Sequence, residues 1–401
     1  MTKLPSLFDK CHEYTRADDV KARGIYPYFR AIEGSEGPVV MMEGKEIIMA
    51  GSNNYLGLTA HPRVKEAAVK VLKQFGTSCS GSRYLTGTIT LHEKLEKELA
   101  AYVGKEAALL FSTGYQTSQG VIQPLVKRGD YILSDKDNHA SIVAGNMLAK
   151  ASGVEVLRYK TLDMDDLEKR LAALPVESRK LIVTDGVFSG FGEIAPLNEI
   201  TKLAKKYNAQ TLVDDAHAFG VIGEGGRGTA SHFGVTDEVD LIMCTFSKTL
   251  ASLGGFVAGE ERVINYIKHH SPALIFSASP TPPSVAAALA ALEILKEEPE
   301  RVTRLVDNAQ YVRSALTDLG FEVIHGHSAI VPVLIRDDEK AFKLWKGLFD
   351  AGVFVNVFIS PATPPNMAMM RNSFMATLEK SHLDRLIEAY TKVGRALEII
   401  K

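Results

Sequence analysis

Through the middle of the chain, short unbroken apolar runs alternate with stretches of helical spacing. AALLF (107–111) precedes a helical pattern over 116–126, YILS (131–134) one over 140–151, and VEVLRY (154–159) one over 164–174. LIVTD (181–185), a helix near 197–207, TLVDD (211–215), LIMCT (241–245) and GGFVAG (254–259) continue the series. Strands that are apolar on both sides and separated by helices predict a mostly parallel sheet covered on both faces. Ligands of such sheets bind beyond the carboxyl ends of the strands.

The flanks follow other patterns. Residues 1–56 predict an N-terminal arm carrying a hairpin, VVMMEGKEIIMA, with its turn at Glu43-Gly44. Residues 57–298 hold the large α/β domain and end in a helix over 284–296, broken at Glu297-Glu298-Pro299. Residues 299–401 predict a smaller α+β domain: an amphipathic helix over 301–319, strands at FEVI (321–324) and IVPVLI (330–335), and a final helix from Leu383.

A net charge of −2 gives no general attraction to nucleic acid or to an anionic membrane. Cys11, Cys79 and Cys244 match neither a zinc site nor a disulfide framework, which points to a reducing, cytoplasmic setting. The N-terminus lacks the apolar core of a signal peptide, and no apolar run is long enough to span a membrane.

Candidate chemistry gathers at predicted strand ends. Lys248, in Cys244-Thr245-Phe246-Ser247-Lys248, is placed to form a Schiff base with an aldehyde cofactor, with Thr245 and Ser247 as phosphate donors; a solvated surface lysine is the alternative. In Asp214-Asp215-Ala216-His217 a carboxylate is placed to face a pyridine nitrogen and His217 a phenolic oxygen, while magnesium or a structural ion pair fits the acid pair equally. Ser112-Thr113-Gly114-Tyr115 turns from strand to helix and makes either an anion site or an ordinary N-cap. His139, in Asn138-His139-Ala140-Ser141, either stacks on an aromatic ring or is a structural hydrogen-bonder. Taken singly each motif is ambiguous, but all four fall at the same edge of one sheet.

Two other motifs carry less. Gly223-Glu224-Gly225-Gly226-Arg227-Gly228 fits a dinucleotide fingerprint in letters only, because no long helix follows it. His325-Gly326-His327 lacks a third ligand nearby, so no metal site is assigned.

Together SNNYLGL (52–58), SGSRYLTGTITLHEKLE (80–96), FSTGYQ (111–116), DKDNHASI (135–142), DGVFS (185–189), VDDAHAFGVIG (213–223), TFSKTLASLGGFVAG (245–259) and MMRNSFMAT (369–377) resemble the α-oxoamine synthases, fold-type-I enzymes dependent on pyridoxal 5'-phosphate (PLP). The resemblance runs from about residue 25 to the C-terminus. It implies a large, mostly parallel seven-stranded sheet domain with a smaller C-terminal domain, a homodimer with shared active sites, and condensation of an amino acid with an acyl thioester (CoA or acyl carrier protein) with loss of CO2.

By matching position, Lys248 would carry PLP, Asp214 would pair with the ring nitrogen, His217 and Ser189 would reach the phenolic oxygen, and His139 would stack on the ring. Gly114, Tyr115, Thr245 and Ser247 would hold the phosphate, with Ser277 added from the other subunit. Asn53 and Arg371 would bind the substrate carboxylate, a task suited to the guanidinium fork. YPYFR (26–30) and SPATPP (360–365) look closest to the soluble bacterial serine palmitoyltransferase branch, implying L-serine and a long-chain acyl group. Gly190-Phe191, Ala144, Leu378 and YKTLD (159–163) depart from the family pattern and leave cysteate, glycine or alanine open as the amino acid. The more distant alternatives are an aminotransferase and a non-catalytic partner subunit.

Overall fold

A computed structural model describes residues 4–34 and 37–401; residues 1–3 and 35–36 of the expected N-terminal arm lie outside the described residues. The predicted hairpin is present as β1 (Val39–Met42) and β2 (Lys45–Met49), antiparallel with Val39 opposite Ile48. Both turn residues, Glu43 and Gly44, have positive φ (53° and 70°), the backbone twist that a two-residue hairpin connection requires.

Seven strands form the large sheet: β3 (Ala107–Phe111), β4 (Tyr131–Asp135), β5 (Glu155–Tyr159), β6 (Lys180–Asp185), β7 (Ala209–Asp214), β8 (Leu241–Thr245) and β9 (Gly255–Gly259). Their order is β3-β9-β8-β7-β6-β4-β5. The unbroken apolar runs have a direct cause. Leu109, Ile132, Leu181, Leu212, Leu241 and Val257 enter one core cluster, while Leu110, Leu133, Ile182, Val213, Ile242 and Ala258 enter another. Successive side chains point to opposite faces, and here both faces are covered.

Strand β9 runs antiparallel to both neighbours, unlike the helix-linked strands. Only residues 246–254 join it to β8, and a parallel return needs a crossover of roughly a dozen residues or more. That short connection carries Lys248.

Past the break at residues 298–299, the helix Glu300–Asp318 buries Val302, Leu305, Ala309, Val312 and Leu316 along one stripe. Strands β10 (Glu322–Val323), β11 (Ile330–Leu334), β12 (Val353–Phe354), β13 (Asn356–Phe358) and β14 (Met369–Ser373) follow. An antiparallel sheet of order β10-β11-β14-β13 forms, while β12 leaves it and pairs in parallel with β2. The N-terminal hairpin is thereby completed by the C-terminal segment. A further bridge, Gly51 to Ser373, brings the SNNYLGL loop alongside β14. The final helix, Lys380–Ala396, starts three residues before the expected Leu383 because Glu379 and His382 form a reciprocal cap that the apolar pattern does not reveal.

The glycine-rich 223–228 segment forms a short turn and leads only into the four-residue helix Thr229–His232. Its glycine at 228 serves packing, since a Cβ there would lie 2.1 Å from Asp215 Oδ2. His325 and His327 sit in the loop between β10 and β11. Among the described residues no helix is long and apolar enough to cross a membrane.

Candidate active site

At the carboxyl edge of the large sheet, the ends of β3, β4, β6, β7 and β8 surround a cavity of about 330 Å³. Of the residues singled out in the sequence, Gly114, Tyr115, His139, Asp214, His217, Thr245, Ser247 and Lys248 line it. A larger cleft of about 680 Å³ opens at the opposite edge, where several of the charged groups are already engaged. Arg179 pairs with Asp130 at 2.6 Å, and the ammonium groups of Lys105 and Lys180 donate to backbone carbonyls. The smaller cavity is where the residues singled out in the sequence converge.

One wall is an anion cradle. Thr113 Oγ1 accepts from Gln116 N at 3.1 Å and caps the helix Gly114–Leu125, which therefore starts two residues before the Gln116 expected from the apolar pattern. The amide N–H groups of the first turn have no partner within the helix and carry the positive end of its dipole. The hydroxyls of Thr245 and Ser247 stand 3.0 Å apart at the end of β8. Glycine at 114 is what brings the two elements together, because a Cβ there would lie 2.5 Å from Thr245 Cβ.

Lys248 sits in a tight turn fixed by Phe246 N to Gly254 O (2.9 Å) and Ser252 N to Phe246 O (3.0 Å). Burial pushes its ammonium below the ordinary lysine range, and the nearby Asp214 carboxylate opposes that shift. Asp214 is buried and accepts from Ala216 N at 3.0 Å; burial raises its pKa and the charge of Lys248 lowers it. Its neighbour Asp215 points elsewhere. Asp215 Oδ2 accepts from Thr229 N at 2.9 Å beneath Gly228, and burial lifts its pKa to about 7. The acid pair thus divides into a cavity carboxylate and a structural one.

His139 caps the helix Ala140–Ala151. Its Nδ1 accepts from Ser141 N at 3.2 Å, so the proton of the neutral ring is on Nε2. Burial lowers its pKa, with Asp214 opposing and Lys248 reinforcing the shift. His217 is held neutral more firmly, by burial and then by the charges of Lys248 and Arg371. The hydroxyl of Tyr55 stands 2.6 Å from His217 Nδ1.

Arg371 projects from β14 toward the same region. Its Nε donates to Ser189 O at 2.6 Å, its Nη1 to Asn53 Oδ1 at 3.1 Å, and its guanidinium carbon lies 5.7 Å from the centre of the Phe358 ring. Although the residue is only 2% exposed, no carboxylate of the described residues pairs with it.

Like the expected substrate contacts Asn53 and Arg371, two expected cofactor contacts are not in the lining of their own chain's cavity. Ser189 meets Arg371 through its carbonyl, and Ser277 Oγ accepts from Gln116 Nε2 at 2.8 Å. Conversely, Asp185 and Tyr55 lie in motifs already noted, DGVFS and SNNYLGL, but had no role of their own. Asp185 Oδ2 accepts from His139 N at 3.2 Å, while its buried Oδ1 has no partner. Burial, followed by the charge of Asp214, holds its pKa far above the carboxylate range. Strand-end position marked Asp185; the partner of Tyr55, 162 positions away, left no local signal.

These residues fit PLP: a cradle closed by a glycine, a lysine with a depressed pKa, a buried acid, and two neutral imidazoles share one cavity. The profile of aminotransferase class I and II matches residues 45–389. A serine palmitoyltransferase of Sphingobacterium spiritivorum is 49% identical over 393 residues, covering 98% of both chains. An 8-amino-7-oxononanoate synthase of Thermoanaerobacter pseudethanolicus is 42% identical, covering 99% of this chain and 100% of its own. Among solved structures, a serine palmitoyltransferase from S. paucimobilis with a bound PLP–myriocin aldimine superposes with a TM-score of 0.94 at 34% identity, covering 99% of this chain and 100% of that one.

Proposed function

Given that the chain belongs to the aminotransferase class I and II family, we propose that it is a PLP-dependent acyltransferase of the α-oxoamine synthase type, joining L-serine to a long-chain acyl thioester. Serine, the thioester and one proton give a 2-amino-1-hydroxy-3-ketone, CO2 and the free thiol. One placement carries this reading: Lys248 opens into the same cavity as Asp214, His139 and His217.

When bound, PLP supplies an electron sink for the pair released at the Cα of the amino acid. The amides of Gly114 and Tyr115 and the hydroxyls of Thr245 and Ser247 would hold its phosphate, and Lys248 its aldehyde. Asp214 would face the ring nitrogen, where a cation compensates a buried carboxylate. His139 would lie against the ring, and His217 with Ser189 at the phenolic oxygen.

Arg371, held by Asn53, orients the substrate carboxylate. Two parallel N–H···O bonds there fix the amino acid more tightly than a single charge contact. With its pKa depressed, Lys248 has a larger neutral fraction at neutral pH and so is suited to take the Cα proton and later return one to the product. The new C–C bond forms as the thioester's thiol leaves, and the carboxylate departs as CO2.

The active enzyme in this reading is a cytoplasmic homodimer, with Ser277 reaching the partner's phosphate site. Exposed Tyr84, Leu85 and Phe276 support it: they form an apolar patch on two loops joined by Ser279 N to Gly81 O at 2.9 Å.

The test is a panel of serine, alanine, glycine and cysteate scored for spectral change of the bound cofactor, then for thiol release with acyl-CoA and with acyl carrier protein thioesters. Serine with palmitoyl-CoA is expected to give the fastest release. A clear preference for another amino acid would overturn the serine assignment, and a keto-acid product without thiol release would overturn the acyltransferase.

A further inference from the structure

We propose that Tyr55 is a positioning residue for this reaction, setting His217 as the tautomer that carries its proton on Nε2. The inference rests on the reading above in which His217 serves the phenolic oxygen of the cofactor, because only a protonated Nε2 can donate there.

Tyr55 OH lies 2.6 Å from His217 Nδ1 and 3.5 Å from Asn53 Oδ1, and it is also reached by Arg371, which can only donate to it, and by the hydroxyl of Ser373, whose own hydrogen goes to Ser52 O at 2.6 Å. One hydroxyl hydrogen must choose among the acceptors. Asn53 Oδ1 is the poorer target, being more distant and already accepting from Arg371 Nη1 at 3.1 Å, with Ser373 Oγ a further 3.4 Å neighbour. An imine nitrogen accepts better than a phenol oxygen, and a phenol donates better than a neutral imidazole. Distance and chemistry both place the hydrogen between Tyr55 Oη and Nδ1. The ring proton then belongs to Nε2, the other donor-capable nitrogen of an imidazole that lines the cavity.

The surroundings hold this arrangement in place. Tyr55 is fully buried and His217 nearly so, leaving no water to compete for Nδ1. Ala376 N donates to Tyr55 O at 2.7 Å, tying the tyrosine to the segment just after β14. Lys248, Arg371 and His139 face the imidazole and disfavour a second ring proton, while burial keeps the phenol protonated.

The test uses the full-length chain with 15N-labelled histidine, with and without added PLP. Two-bond 15N–1H correlations report the tautomer, and His217→Gln assigns the signal. In the wild type, His217 is expected as the Nε2–H form. In Tyr55→Phe it is expected as a mixture, with PLP affinity lowered about tenfold, the size of one lost hydrogen bond. An Nδ1–H form in the wild type, or an unchanged Nε2–H form in Tyr55→Phe, would overturn the proposal. If Tyr55→Phe does not fold by circular dichroism, the wild-type spectrum decides alone. Serine can fail in the amino-acid panel while this tautomer stands, and the reverse, so the two readings separate.

Discussion

Arg371 Nη1 donates to Asn53 Oδ1 at 3.1 Å, joining a strand of the C-terminal sheet to the loop after the N-terminal hairpin across 318 positions of sequence. The bridge Gly51–Ser373 brings the two segments side by side, and Ser189 O fixes the other end of the guanidinium. Arg371→Ala should raise KM for the amino acid by about tenfold to a hundredfold, the range of a lost charge-assisted hydrogen bond. Asn53→Ala should raise it less, and the double variant should fall well short of the product of the two effects. Fully multiplicative effects in steady-state kinetics would show that Asn53 does not act through Arg371.

Lys248 is expected to be the point of covalent attachment. Borohydride reduction of the loaded enzyme should fix one cofactor per chain on the peptide containing Lys248, as read by mass spectrometry. Lys248→Ala should lose the visible absorbance and about 10²- to 10⁴-fold or more of the rate. A modified lysine on another peptide would reassign the site.

At Gly114 a Cβ would lie 2.5 Å from Thr245 Cβ and 2.6 Å from its Oγ1, and neither a helix start nor a strand end yields easily. Gly114→Ala should therefore lower the unfolding free energy by about 1–3 kcal/mol and weaken PLP binding at least about tenfold. Unchanged binding by fluorescence titration would mean that the cradle is not the phosphate site.

His92 predicts a pH effect away from the cavity. It is fully buried, its Nδ1 accepts from Ile89 N at 3.1 Å, and its Nε2 donates to Pro280 O at 3.0 Å. Burial, then the charge of Arg83, holds its pKa at about 4 against an ordinary 6.5. Between these values the unfolded chain binds a proton that the folded chain refuses. The contribution of His92 is thus complete above pH 6.5 and is lost as pH falls toward 4, about 3 kcal/mol in all. Urea midpoints at pH 7 and pH 5 should show wild type losing about 2 kcal/mol more than His92→Gln. Equal losses would contradict it.

Much of the sheet was legible because its inner strands bury both faces, so that Leu109-Leu110 or Leu212-Val213 reads as a run whatever the neighbours are. The antiparallel course of β9 was less so, since its apolar pattern matches that of the parallel strands and only the short link to β8 tells them apart. Strand ends were legible too, and Lys248, Asp214, His217 and His139 meet there. Which of Asp214 and Asp215 faces the cavity was not legible in the local residues, and only the family resemblance named Asp214. Adjacent carboxylates on one strand end differ only in direction, and Gly228 with Thr229 N decides it from another part of the chain.

Local order alone set where strands stop and helices begin, because apolar spacing and N-caps act over a few residues. Tertiary structure decided the partners: β12 on β2, Asn53 on Arg371, Tyr55 on His217. Each of those contacts closes a loop of hundreds of residues or joins separate elements, so its energy is realised only after the whole core has formed, and no nearby residue records it.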